Sequence, residues 1–222
     1  GAAGDPPVLL SLHGGGFMWG EGAGALLEAV PVAAVAGVRV VAVDYRLAPE
    51  HVYPAAVDDI VAVYRVLVEQ VGAAKLGIYG CSAGAVLTAQ TVARLVHDGV
   101  EGPAAIGMFH GAPLDFVGDS VLALPVFDPQ AVNGAVPTAG AMPYFHGADL
   151  DDPLVLPGRH PDMLAQFPPS LLVTATRDFA ASAVSVMHRR LLAAGVDARF
   201  VLFDGLWHAH HMDVGLPETI EA

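Results

Sequence analysis

Short apolar, β-branched runs recur along the chain at Val8–Leu12, Val38–Val43, Leu76–Tyr79, Ala104–Phe109, Leu171–Ala175 and Arg199–Phe203. Each has about the length of a buried strand. Between them the period changes. Ala56, Ile60, Val63, Leu67 and Val71 fall at helical spacing within Ala55–Val71, Ser82–His97 is long and Ala-rich, and Ser182–Ala194 stops at Gly195, the residue type that closes helices. Strands alternating with helices predict an α/β fold with a mostly parallel sheet covered on both faces. Residues 111–169 break the pattern. They hold ten of the 17 prolines and no sustained period, so they are expected to form an irregular excursion that serves as a pocket wall or lid.

At 222 residues the chain is read as one domain, and 54% hydrophobic residues supply the apolar area for a core. No apolar run reaches the ~18 residues of a membrane span. Residues 1–12 lack the zones of a signal peptide, which gives a cytoplasmic expectation. The net charge of −13, with Lys75 the only lysine, argues against a nucleic-acid partner. Cys81 is the only cysteine, which excludes an intrachain disulfide and a zinc cage of cysteines.

Candidate chemistry gathers where strands end. Gly80-Cys81-Ser82-Ala83-Gly84 follows one strand and opens a helix, the setting of a nucleophile elbow, in which side chains at 80 and 84 would collide with neighbouring backbone. His13-Gly14-Gly15-Gly16 follows another strand, so the amides of Gly15 and Gly16, with that of Ala83, can form an oxyanion hole worth ~3 kcal/mol per donor. A serine needs a histidine base and an orienting carboxylate. His208 lies past the last strand and Asp178 past the one before it, giving the order Ser, Asp, His. Asp204 is a rival acid, but it sits four residues before His208 on the same turn. His208, His210 and His211 could instead form a metal cluster, yet their spacing matches no zinc helix motif, so no metal is expected.

Taken together, several motifs resemble the hormone-sensitive-lipase family of bacterial esterases within the α/β-hydrolases. They are His13-Gly14-Gly15-Gly16-Phe17, Asp44-Tyr45-Arg46-Leu47-Ala48-Pro49-Glu50 running on to Tyr53-Pro54-Ala55-Ala56-Val57-Asp58-Asp59, the Ser82 elbow, Asp178, and Asp204-Gly205-Leu206-Trp207-His208. The resemblance implies Ser82 as nucleophile, His208 as base, Asp178 as orienter, Gly15, Gly16 and Ala83 as oxyanion donors, ester substrates and no cofactor. The Asp44–Glu50 stretch is read as structural, held through charge-assisted bonds from Arg46.

Departures from the family are also visible. Only twelve residues precede His13, so the family's cap is absent or lies outside this chain. Its final helix would begin near Ala222, which leaves one sheet face partly uncovered. Cys81 stands where Asp or Thr is usual, Ala85 replaces a glycine, and Phe179, Ala180 and Ser182 replace the usual residues after the acid. The resulting expectation is a short-chain carboxylesterase with Phe17, Trp19, Met142 and Tyr144 lining the substrate cleft. The runners-up are an amidase or peptidase on the same triad and a non-catalytic ligand-binding protein. A homodimer through the final edge strand is the expected assembly.

Overall fold

The computed structural model describes residues 6–121 and 138–220. Six parallel strands run β1 (Val8–Leu12), β2 (Arg39–Ala42), β3 (Leu76–Cys81), β4 (Ala105–Phe109), β5 (Ser170–Arg177) and β6 (Ala198–Trp207). Their order across the sheet is β2-β1-β3-β4-β5-β6, and the parallel sheet between helices is the architecture expected of an α/β-hydrolase fold. β3 lies inside the sheet between β1 and β4, and all six of its residues are buried. This explains why its sequence is a continuous apolar run rather than an alternating one. β6 takes the edge, as expected of the final strand, and stays partly exposed.

Helices α2 (Ala55–Val71), α3 (Ala83–His97) and α5 (Ala181–Ala193) share one core with Val8, Leu10 and Leu12 of β1. In α2 the buried residues are Ala56, Ile60, Tyr64 and Leu67 with Val57 and Val61, a single face at helical spacing. The opposite sheet face carries Leu9, Tyr79, Cys81, Phe109 and Val173, packed with Val32 of helix α1 (Ala23–Ala36). The period of the sequence does not reveal α1. Leu26, Leu27, Val30 and Val35 are exposed apolar residues, so no polar face marks the helix, and Pro31 lies inside it. Its end is conventional: Gly37 adopts φ 63° and its amide bonds to the Ala33 carbonyl at 3.0 Å.

The chain runs from β1 outward to β2, then crosses back over β1 to reach β3. The loops leaving β1 and β3 therefore part toward opposite faces and open a crevice at the carboxyl edge. The excursion that follows β4 packs beside this crevice through short 3₁₀ turns at Ala139–Ala141, Pro143–Phe145 and Pro157–Arg159 and the one-turn helix α4 (Pro161–Leu164). It is fastened by buried and half-buried polar bonds. Tyr144 donates to Gln90 Oε1 at 2.9 Å, Gln90 Nε2 donates to the Val155 carbonyl at 2.8 Å, and Arg190 donates to the Gly158 carbonyl at 2.8 Å. Residues 122–137 of the excursion lie outside the described ones.

No helix among the described residues is long and apolar enough to cross a membrane. Leu10 is fully buried between the helices and the sheet, so Leu10→Ala should cost about 2–5 kcal/mol of stability. Leu26→Ala, at a position 53% exposed, should stay within about 0.5 kcal/mol. Urea unfolding of the two variants checks the assignment of core and surface, and similar losses would contradict it.

Candidate active site

Ser82 follows β3 directly and starts α3, with φ 55° and ψ −116°. A non-glycine residue in this region is strained and persists only where its surroundings fix it. They do so tightly here. The Ser82 amide donates to the Phe109 carbonyl at 2.8 Å, and the Ser82 carbonyl accepts from the Ala85 amide at 3.1 Å. A Cβ on Gly84 would overlap the Leu12 carbonyl, and one on Gly80 would overlap the backbone of Gly84. Both glycines are therefore required by close backbone approach, as the sequence reasoning holds.

The His13–Gly16 loop leaves β1 beside this turn. Met18 and Trp19 close it by donating to the Gly15 carbonyl at 3.0 and 3.2 Å, which leaves the amides of Gly15 and Gly16 uncommitted to the turn. Tyr45 stacks on the His13 ring at 4.2 Å and donates to the His13 carbonyl at 2.6 Å. The Ala48 amide donates to the Phe17 carbonyl at 2.8 Å. Arg46 bonds Asp59 through its amide and its Nε at 2.9 Å and reaches the Ala55 carbonyl at 3.2 Å. The Asp44–Glu50 stretch thus has the structural part read from its sequence, and part of what it braces is the glycine loop.

Asp178 follows β5 and is completely buried. Its Oδ1 accepts from His208 Nδ1 and from the Ala180 amide, each at 2.8 Å; its Oδ2 accepts from His110 Nδ1 and the Thr174 hydroxyl, each at 2.7 Å. Burial pushes this carboxyl up, yet the hydrogen bonds from His110 and His208 and the fields of those rings outweigh it and hold Asp178 well below the usual carboxylate range. Asp204, the rival acid, is instead bonded by the Thr176 hydroxyl at 3.0 Å in an exposed position.

His110 is a residue the sequence reasoning missed. It follows β4, is fully buried with φ 54°, and shares the Asp178 carboxylate with His208. Burial lowers its pKa against the raising effect of Asp178. A position just past a strand's carboxyl end was the available signal, the same one that singled out Ser82, Asp178 and His208. Glu28 was missed as well, because α1 was. Burial raises its carboxyl to about 7, with hydrogen bonds from the Gly14 and Cys81 backbone pulling the other way. Gly14 N–H meets Glu28 Oε1 at 2.7 Å.

A cavity of about 710 Å³ is bordered by Ser82, His208, Gly15, Gly16 and Ala83, with Phe17, Trp19 and Met142 also in its wall. Tyr144 is a correction to the expected cleft residues. It is fully buried, stacked on Phe17 at 4.2 Å, and does not border the cavity; Phe145 does. The turn at Pro143–Phe145 sends its Tyr inward because the phenol finds a buried partner in Gln90. Phe17 likewise faces the core, only 2% exposed, while Trp19 stands 61% exposed.

Residues 9–212 match the family described by the alpha/beta hydrolase fold. The chain belongs to that family. It is 31% identical to the putative acetyl-hydrolase LipR of Mycobacterium tuberculosis, over 97% of this chain and 70% of LipR. It is 34% identical to the carboxylesterase NlhH of the same organism, over 86% of this chain and 62% of NlhH. Among solved structures, esterase E25 superposes with a TM-score of 0.85 at 34% identity, covering 97% of this chain and 66% of E25. An esterase from the bacterial hormone-sensitive lipase family superposes with a TM-score of 0.84 at 30% identity, covering 98% and 73%. This α/β-hydrolase thus falls in the hormone-sensitive-lipase branch that its motifs resemble.

Two outcomes test the acid's surroundings. Because the folded pKa of Asp178 is depressed, its stabilisation is present above the ordinary carboxyl value of about 4 and is lost as pH falls toward the folded value. The stability lead of the parent over Asp178→Asn should therefore be full at pH 6 and shrink steadily in acid below about pH 4. Thermal melts across pH check this, and a lead that grows in acid would contradict it. His110→Ala removes a donor from a buried carboxylate and should cost about 3 kcal/mol or more; a loss within about 0.5 kcal/mol by urea titration would show the bond to be dispensable.

Proposed function

We propose that this α/β-hydrolase is a serine carboxylesterase that cleaves short-chain esters through an acyl-enzyme. The observation that carries the reading is the bond of His208 to the buried, ionised Asp178, with His208 and Ser82 bordering one cavity beside the glycine loop. In this mechanism Asp178 accepts a hydrogen bond from His208 Nδ1–H and keeps the proton on that nitrogen, so the lone pair of the neutral ring lies on Nε2. His208 takes the Ser82 proton as the hydroxyl attacks the ester carbonyl. The Gly15, Gly16 and Ala83 amides and the N-terminus of α3 stabilise the oxyanion. His208 then returns its proton to the departing alcohol, and water repeats the sequence to release the acid.

The cavity has the size of a small-molecule site, and its wall is mostly apolar: Phe17, Met18, Leu114, Phe116, Met142 and Phe145. That wall suits an uncharged ester. A small acyl group is favoured because LipR is named a putative acetyl-hydrolase and the Streptomyces hygroscopicus relative, 30% identical over 93% of this chain, is named an acetyl-hydrolase. Esters rather than amides are favoured because LipI and NlhH of Mycobacterium tuberculosis are named as esterases.

Ser82→Ala should reduce p-nitrophenyl acetate turnover by at least about a thousandfold with the melting temperature little changed, since a small hydroxyl contributes little packing. Activity within tenfold of the parent would remove Ser82 from its role. Asp178→Asn should lower kcat far more than Asp204→Asn, because only the former replaces the charged acceptor of His208 Nδ1–H with an amide that can hold the ring in the wrong tautomer. Across p-nitrophenyl esters of increasing acyl length, kcat/KM should peak among acetyl to hexanoyl, and a maximum among dodecanoyl or longer chains would overturn the short-chain reading.

A further inference from the structure

Three buried side chains outside the proposed triad meet at one point behind the nucleophile turn. Glu28 comes from α1, Cys81 ends β3, and His211 sits in the 3₁₀ turn His210–Met212. They are 4%, 1% and 7% exposed. One potential donor atom from each, the carboxylate oxygen, the sulfur and a ring nitrogen, lies within 4.8 Å of the others. The Glu28 carboxylate is already held by the Gly14 and Cys81 backbone, but both ring nitrogens of His211 have no hydrogen-bond partner among the described residues. Buried polar atoms are nearly always partnered, and each one left unmet costs about 1–3 kcal/mol. The proposed esterase chemistry uses none of the three.

We propose that Glu28, Cys81 and His211 hold a zinc ion in a buried structural site. The donor set of one carboxylate, one thiolate and one imidazole suits zinc, whereas magnesium and calcium select oxygen alone. Two anionic ligands neutralise the ion's double charge, so the occupied site adds no net charge to the interior. Binding releases the thiol proton of Cys81, and the carboxyl proton of Glu28 when present, to solvent. A cavity adjoins the group on either side. Glu28 and Cys81 border the 710 Å³ cavity, while Glu28 and His211 border a second one of about 590 Å³ on the α1 face of the sheet.

The position gives the ion a mechanical part. Glu28 holds the Gly14 amide of the glycine loop, Cys81 is covalently next to Ser82, and the His211 ring stacks on His110 at 5.3 Å. His110 in turn bonds Asp178. One ion would tie α1, the end of β3 and the loop after β6, three segments far apart in sequence that between them support the oxyanion loop, the nucleophile turn and the acid. A second potential ligand group, His110, Asp178 and His208, belongs to the active site itself and contains no sulfur, which lets experiment tell the two apart.

The test uses the full chain, stripped with a chelator and titrated with cobalt(II), then with zinc. Cys81 is the only cysteine, so a thiolate-to-cobalt charge-transfer band in the near ultraviolet can arise only from this site. The expected result is a band that saturates at one ion per chain, is displaced by zinc, and is accompanied by a rise in melting temperature with zinc. Cys81→Ser should abolish the band. Glu28→Gln and His211→Gln should weaken zinc binding by more than about a hundredfold, beyond what loss of a residue that merely supports a ligand costs. His208→Ala should leave the band intact. The proposal is overturned if the parent protein takes up no metal or binds cobalt without the band. It is equally overturned if zinc uptake survives Cys81→Ser but disappears with His208→Ala. The first two results need only the parent chain, so a variant that fails to fold does not shelter the idea.

Discussion

A buried carboxylate organises the carboxyl edge of this sheet. Asp178 has no contact with solvent, and a bare charge there would be prohibitively costly, so its environment must supply hydrogen bonds for both oxygens. The four donors come from the residue after β4, a residue within β5, the start of α5 and the residue after β6. Satisfying one side chain therefore fixes the relative positions of three strand ends and a helix. The His208 ring is oriented as part of that arrangement.

Parallel topology explains why the chemistry collects on one edge. Every strand points the same way, and His13, Ser82, His110, Asp178 and His208 are each the first residue beyond a strand. The loops part at β1 and β3, where the strand order reverses, and this opens the cavity between the glycine loop and the nucleophile turn. Ser82 and His110 both adopt positive φ. Such strain survives because the flanking backbone is hydrogen-bonded: the Ser82 amide to Phe109, and the His110 amide to Val173.

The glycine loop lacks side chains of its own to hold it, so its order is borrowed. Tyr45 stacks on its histidine, Ala48 pins Phe17, and Glu28 accepts the Gly14 amide from the opposite sheet face. The excursion after β4 supplies the facing wall through Met142, Phe145 and Leu156. Its inner side is anchored on α3 through Gln90, which makes that part of the wall a packed element rather than a loose cover.

The sequence alone determined whatever depends on neighbours along the chain. The bounds of β1 and α2 are those read from apolar spacing, because the strand period of two and the helix period of 3.6 are local properties of the backbone. The nucleophile turn was legible for the same reason, since Gly80 and Gly84 answer to steric collisions within a short stretch and with the adjoining strand. The order Ser, Asp, His and the strand-end positions followed from the alternating pattern. Features set by partners distant in sequence were not legible. α1 has no polar face to give it a period, and β6 runs on to Trp207 because β5 beyond Ala175 offers it a pairing edge. Tyr144 turns inward to a glutamine on another helix, and His110 shares a carboxylate supplied from β5. Only the tertiary structure brought Glu28, Cys81 and His211 to one point. Each is unremarkable in its own segment, and their chemistry exists only where a helix, a strand end and a late loop converge.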